Sequence, residues 1–252
     1  MYESHRAVNE YLLFHYGKSD DQMKFQFGPK DSLNFPERCA SICSNYSERN
    51  KQFKTRALDI GCAVGGTSFQ LAKYFDEVVG IDYSQHFVDA ANVMKDKGKM
   101  DFEILKQGMI FETCQTSLDQ TIDRSKVTFQ QGDACSLDKS LGKFDLIVAS
   151  NLLCRLPKPR NFLTEITSFL TVGGCLVLIS PYSWLEEYTD KSEWIGGLHN
   201  TEESITEVSL FMSNHDQPLE LSHRQDIPFL IREHERKYQY GVSDCTVWKK
   251  TL

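Results

Sequence analysis

From Arg56 to Pro181, short apolar runs alternate with stretches of helical spacing, and the first run ends in a glycine-bearing turn. That alternation is met by a parallel sheet with helices on both faces. RALDIGC and EVVGIDYS read as the first two strands, with GTSFQLAKYF between them as a helix buried through Phe69, Leu71, Ala72 and Phe75. QHFVDAANVMKDKG reads as the next helix, closed by Gly98. KVTFQQGD, FDLIVASN and GCLVLISP supply three more strands, and Pro159 opens a helix through Leu170, where proline fits the first turn. PFLIREHERKYQY and VSDCTVWKK read as an antiparallel hairpin joined around Gly241, which makes seven strands. Residues 5–16 and 36–46 read as helices of an N-terminal cap over 1–55, ahead of a core over 56–252. Residues 98–125 and 182–225 lack clear periodicity and read as insertions in one domain.

With 252 residues, one sizeable core is expected. A net charge of -7 with no lysine-arginine block argues against nucleic-acid partners. No apolar run reaches the roughly 20 residues that span a bilayer, and the opening MYESHRAVNEYLLFHYG is no signal peptide. The eight scattered cysteines fit buried thiols in a reducing compartment. Cys39 and Cys43 have no second pair to complete a metal site. A cytoplasmic protein without membrane or metal attachment is expected.

Three acids fall at successive strand ends, where open α/β sheets bind their ligands. Asp59 precedes the turn Gly61-Cys62-Ala63-Val64-Gly65, Asp82 closes the second strand beside Tyr83, and Asp133 with Ala134 follows the third. A turn read as Gly61-x-Ala63-x-x-Gly66 also suits a dinucleotide. Asp59 opposes that reading, because it would repel a pyrophosphate and attract an ammonium group. Asp82 is placed to accept both hydroxyls of a ribose, and Asp133 to meet an adenine edge. Together they fit a cationic sulfonium cofactor. Each acid alone would serve as a helix cap or turn former.

LDIGCAVGGTSFQLA, GIDYS, QGDACSL and FDLIVASNLLCRLP resemble the core motifs of class I S-adenosylmethionine-dependent methyltransferases, with Ala63 where glycine is commonest. The resemblance implies a Rossmann-like α/β fold, S-adenosylmethionine as cofactor, and Asn151 and Leu152 at the end of the fourth strand facing it. FGPKDSLNFPERC, NLLCRLPKP, SPYSWLEEYT with WIGG, and PFLIREHERKYQYGVS are similar to the methyltransferase domain of ovothiol-synthesising enzymes. That domain is described as a 4-mercaptohistidine N1-methyltransferase, its substrate being 5-mercaptohistidine in other numbering. In that family the domain is often fused behind an iron-dependent sulfoxide synthase, which nothing in this chain resembles.

Methylating a protonated ring nitrogen requires a base or a proton exit. His234, Glu186 and Glu187 are candidates, with Tyr182 or Tyr238 to relay or orient. Arg155, Arg232 and Arg236 compete for the amino-acid carboxylate. Tyr182, Trp184, Tyr188 and Trp194 offer an aromatic wall, which is equally ordinary packing under a long loop. Period-two alternation puts Arg232, His234, Arg236, Tyr238 and Tyr240 on one strand face, expected to line the acceptor pocket. Two alternatives stay open: methylation of another small molecule or a protein side chain, and a cofactor-binding module without chemistry.

Overall fold

The computed structural model describes residues 5–46 and 55–251. Helices α1 (His5–Tyr16), α2 (Ser19–Gln22) and α3 (Phe35–Tyr46) precede the sheet. The core then runs β1 (Arg56–Ile60), α4 (Gly66–Leu71), β2 (Glu77–Asp82) and α5 (Gln85–Lys97). Strands β3 (Lys99–Gln107) and β4 (Ile110–Ser117) follow, then β5 (Val127–Gln131), β6 (Phe144–Ser150) and α6 (Pro159–Ile166). Strand β7 (Leu170–Ser180), α7 (Ser204–Ser213), β8 (Leu219–His234) and β9 (Lys237–Lys250) complete the chain.

Seven strands form one sheet in the order β5-β2-β1-β6-β7-β9-β8. The pairs among β5, β2, β1, β6 and β7 are parallel, and β9 is antiparallel to both β7 and β8. This is the Rossmann-like sheet with a C-terminal antiparallel hairpin that the sequence predicts. Strand order reverses direction between β1 and β6, so the crevice lies beyond their carboxyl ends.

Neighbouring strand residues serve opposite faces, as the pleat requires. Ala57, Val78, Leu146, Val148, Val177 and Val247 pack with α1, α3, α4 and α5. Leu58, Val79, Ile147, Leu176, Leu178 and Trp248 pack with α6, α7 and the loop carrying Trp184. Burial on both faces explains why these strands read as continuous apolar runs. Local signals set the ends of α5: Ser84 Oγ accepts from the Phe87 N–H at 3.4 Å, and Gly98 closes the helix at φ 70°.

The structure differs from the sequence reading in three places. Residues 98–125 are not irregular: β3 and β4 pair antiparallel in a hairpin of their own. Within 182–225, α7 and the first residues of β8 are regular. The β8–β9 turn falls at Glu235 and Arg236, and Gly241 pairs with Phe229 inside the ladder. A Cβ at Gly241 would lie 2.4 Å from the Phe229 ring, so this glycine admits an aromatic neighbour and makes no turn.

Candidate active site

Backbone strain gathers at one edge of the sheet. Among the described residues, the non-glycine positions with positive φ are Asn34, Ala63, Asn151 and Tyr182. Ala63, Asn151 and Tyr182 stand just beyond the carboxyl ends of β1, β6 and β7. Each such residue costs about 1–3 kcal/mol, and surroundings that over-determine it are characteristic of functional sites.

The turn after β1 is built on Gly61 at φ 72° and Gly65 at φ 87°, conformations glycine adopts without penalty. The N–H groups of Gly61 and Cys62 both donate to the Ile81 carbonyl, at 2.8 and 3.1 Å. The Ala63 N–H donates to Asp82 Oδ2 at 2.8 Å, and the Ser84 N–H to Asp82 Oδ1 at 2.9 Å. Two strand ends thus hold one carboxylate in a fixed plane. Helix α1 braces the turn from outside: the Tyr16 hydroxyl donates to the Val64 carbonyl, and His15 Nδ1 accepts from the Gly66 N–H at 3.0 Å. Burial drives the His15 imidazole down to about 3, keeping it the neutral acceptor this bond needs.

Asp59 lies inside, with Ser68 Oγ donating to its Oδ2 at 2.6 Å. Burial pushes its carboxyl up to about 7, against the opposing pull of the Ser68 bond. The unfolded carboxyl titrates near its ordinary 3.8. Between these values the folded protein keeps a proton that the unfolded chain has lost. The stability from this group is therefore full below about 4, declines as pH rises to about 7, and then levels. Denaturant unfolding at pH 5 and pH 7.5 is expected to show that decline in the parent and a flatter profile in Asp59→Asn. Equal pH dependence in the two would contradict it.

The other predicted cofactor residues cluster along the same edge. Tyr83 is exposed, its carbonyl accepting from Gln131 Nε2 at 3.0 Å. Asp133 Oδ1 accepts from the Cys135 N–H at 2.8 Å, closing its own turn, and Ala134 is buried behind it. Cys62 is buried, and its thiol is pushed up by burial and by Asp82 and Asp59. The Asn151 N–H donates to the Ile179 carbonyl at 2.7 Å, and Asn151 Oδ1 accepts from Ser243 Oγ at 2.7 Å. Leu152 lies over Gly61, 3.0 Å from where a Cβ would stand.

The predicted acceptor residues divide. Tyr182 stands at the edge, with its hydroxyl buried and without a partner among the described residues. Arg155 fastens the loop: its Nη1 donates to the Ser183 carbonyl at 2.6 Å, and it lies over the Tyr188 ring. Trp184 donates to Ser204 Oγ at 2.9 Å and stacks on Trp194 at 6.3 Å, as packing beneath the loop. Glu186 is solvent-facing, paired with Lys191 at 3.1 Å, and Glu187 is exposed.

The single strand expected along 232–240 is not formed, because the chain reverses at Glu235 and Arg236, although Arg232 and Tyr238 still share a face as cross-strand partners. His234 Nδ1 accepts the Arg236 N–H within that reversal, at 3.2 Å, and the Tyr238 hydroxyl donates to the Glu235 carbonyl. Arg236 and Tyr240 are exposed. Arg232 is buried, donating to the Asp21 carbonyl at 2.6 Å. It lines a cavity of about 20 Å³ with Arg6, Asn9, Glu10 and Leu13 of α1. His15, which meets the glycine turn, lies on the opposite side of that helix. Seven residue steps separate Ser243 from Arg236 in sequence, or about 20–25 Å of extended chain. The arm's tip and its base at Asn151 are therefore separate places.

Sequence reasoning passed over Ser68, Ser84, His15, Tyr16, Ser243 and Asp244. Ser84 was open to detection as the cap before QHFVDAAN. The others act across long sequence separations, which no local pattern encodes. Among the described residues no group of three His, Cys, Asp or Glu side chains could hold a metal ion, and no helix is long and apolar enough to cross a membrane.

The donor set fits S-adenosylmethionine. A plane-fixed carboxylate at the end of β2 suits a vicinal diol, and the turn that Gly61 and Gly65 make allows close backbone approach. Residues 58–178 match the methyltransferase domain family. The chain is 27% identical over 124 residues to ajmaline N-methyltransferase of Rauvolfia serpentina, covering 49% of this chain and 35% of that one. It is 31% identical over 145 residues to magnesium-protoporphyrin O-methyltransferase of Rhodobacter capsulatus, covering 54% and 53%. The chain thus spans about a third to about half the length of these curated relatives. Among solved structures, the N-methyltransferase NodS of Bradyrhizobium japonicum in complex with S-adenosyl-L-homocysteine superposes with TM-score 0.55 at 14% identity, covering 97% and 99%. A methyltransferase of Methanosarcina mazei superposes with TM-score 0.56 at 19% identity, covering 84% and 97%. The glycine turn, the Asp82 carboxylate and the sheet order thus coincide with the segment that matches the methyltransferase domain family, and the chain has the Rossmann-like methyltransferase fold.

Proposed function

We propose that this enzyme transfers a methyl group to an imidazole nitrogen of 5(4)-mercaptohistidine. One observation supports the reading above others: the sequence blocks that resemble ovothiol-synthesising enzymes are knitted together in space. Arg38, from the block 27–39, donates to the carbonyl of Pro228. Ser243, ending the block 228–243, bonds Asn151, which begins 151–159. Arg155 and Leu156 of that block meet Ser183 and Thr189 of 180–189. Trp194, which opens 194–197, donates to the Thr189 carbonyl at 2.9 Å. Residues shaping one acceptor would be expected to converge in this way.

When bound, S-adenosylmethionine supplies an electrophilic methyl group on a sulfonium centre. The chain's own task is to align the acceptor with that methyl and to keep water out. Asp82 fixes one end of the alignment through its two backbone bonds. The Asn151–Ser243 bond ties β6 to the hairpin arm, so the acceptor side is set on the same rigid sheet. On this reading the enzyme acts in the cytoplasm, fused to or associated with an iron-dependent sulfoxide synthase.

Incubation with isotope-labelled methyl donor and a panel of histidine derivatives tests the substrate. Mass analysis is expected to find label on a ring nitrogen of mercaptohistidine. Plain histidine is expected to react roughly a hundredfold more slowly, since a site shaped for a thiolate leaves its partners unpaired without one. Equal turnover of the two would point to a histidine methyltransferase. Labelling of neither would send the search to other small molecules.

A further inference from the structure

Among the described residues, the Tyr182 hydroxyl and Asp244 Oδ2 are polar atoms buried without a hydrogen-bond partner at the carboxyl edge of the sheet, where Ser150 Oγ is a third. Asp244 pairs in register with Ser180, the last residue of β7, and Ser180 Oγ accepts the Tyr182 N–H at 3.1 Å. Asp244 follows Ser243, which holds Asn151. On β9 it shares a face with Thr246 and Trp248, the face on which Tyr182 packs. Its other oxygen is occupied, since Arg224 Nε donates to Oδ1 at 2.9 Å. The carboxylate is thus held by one oxygen and presents the other. An unmet acceptor in a buried place carries a desolvation penalty that a donor arriving there would relieve.

We propose that Asp244 Oδ2 and the Tyr182 hydroxyl form the acceptor-binding pair of this enzyme, Asp244 receiving the N–H of the group to be methylated. This rests on the reading of the chain as an N-methyltransferase. For a thiol-bearing imidazole the assignments follow from donor and acceptor character. The ring N–H donates to Asp244, and the Tyr182 O–H donates to the thiolate. Burial, then the nearby Asp244 charge, raise the Tyr182 hydroxyl above its ordinary value, which keeps it a neutral donor. In the transfer, the N–H proton passes to Asp244 and the freed lone pair forms the N–CH₃ bond. The methyl carbon's bond to sulfur breaks, its electron pair stays on sulfur, and a neutral thioether leaves. Asp244 then returns the proton to solvent. Asp226, opposite Asp244 on β8, and Arg224 are the charged neighbours on the adjoining strand.

The test uses the full chain saturated with S-adenosylhomocysteine, imidazole as the probe, and the variants Asp244→Asn and Tyr182→Phe. Calorimetry is expected to show imidazole affinity lowered about tenfold in each variant, with S-adenosylhomocysteine affinity unchanged. Thermal unfolding of Tyr182→Phe is expected at the parental Tm or above, because the hydroxyl removed had no protein partner. Equal imidazole binding by parent and variants, or none by the parent, overturns the proposal. So does a Tm several degrees lower in Tyr182→Phe, which would make the hydroxyl a structural partner. If mercaptohistidine is not methylated while the imidazole contrast holds, the substrate reading fails and the pair stands. If both variants methylate mercaptohistidine at the parental rate, the pair fails and the substrate reading stands.

Discussion

Replacing Asp82 with alanine is expected to weaken S-adenosylhomocysteine binding by about a hundredfold. Hydrogen bonds to a charged acceptor contribute about 1.5–3 kcal/mol each, and two ribose hydroxyls meeting this carboxylate make roughly 3 kcal/mol the smaller total. The same change strips the Ala63 and Ser84 N–H groups of their partners. The turn after β1 then loosens as well, at about 1 kcal/mol for each bond. Asp82→Asn keeps one acceptor oxygen and is expected to fall between parent and alanine. Calorimetric titration of all three decides the matter. Parental affinity in Asp82→Ala would remove the ribose from this end of β2.

A second large effect is expected at Gly65. A Cβ built there lies 2.5 and 2.8 Å from the Phe129 ring and 3.3 Å from the Ala91 Cβ. The ring has little room to yield, because it packs edge-on against Phe69 at 5.2 Å. The backbone is left-handed at φ 87°, which is costly for a β-branched residue. Gly65→Val is therefore expected to destabilise the fold by about 3 kcal/mol or more, combining backbone strain with overpacking. Gly108 provides the comparison, with φ 57° and nothing within 4 Å of its absent Cβ. Gly108→Val carries the backbone term alone. Chemical denaturation giving equal losses at the two positions would show that the Phe129 contact is unimportant.

Legibility in the sequence follows burial. The four inner parallel strands β1, β2, β6 and β7 were readable because both their faces are covered, which leaves unbroken apolar runs at Leu146–Ala149 and Cys175–Ile179. Strand β4 is mostly exposed, so Ile110 and Phe111 alternate with nothing and 98–125 reads as loop. The start of β8 carries Glu220, Ser222 and Arg224 at the sheet's edge, where charge discourages further pairing and erases the apolar signal. Gly241 has the look of a turn residue, and only the facing Phe229 explains it. At the site, Asp82 and Gly61 were legible because strand-end turns have local signatures. Asp244 was not: a single carboxylate in VSDCTVW becomes a candidate only when its register brings it to Ser180.

The central claim is that the carboxyl ends of β1 and β2 hold the methyl donor, with the acceptor beside Asn151 and Tyr182. A crystal structure with S-adenosylhomocysteine tests it most directly. The expected result has both ribose hydroxyls on the Asp82 carboxylate, the amino-acid end at the Gly61–Gly65 turn, and the sulfur facing Asn151. Ligand bound away from Asp82, or an Asp82 carboxylate that touches no ribose, would contradict the account.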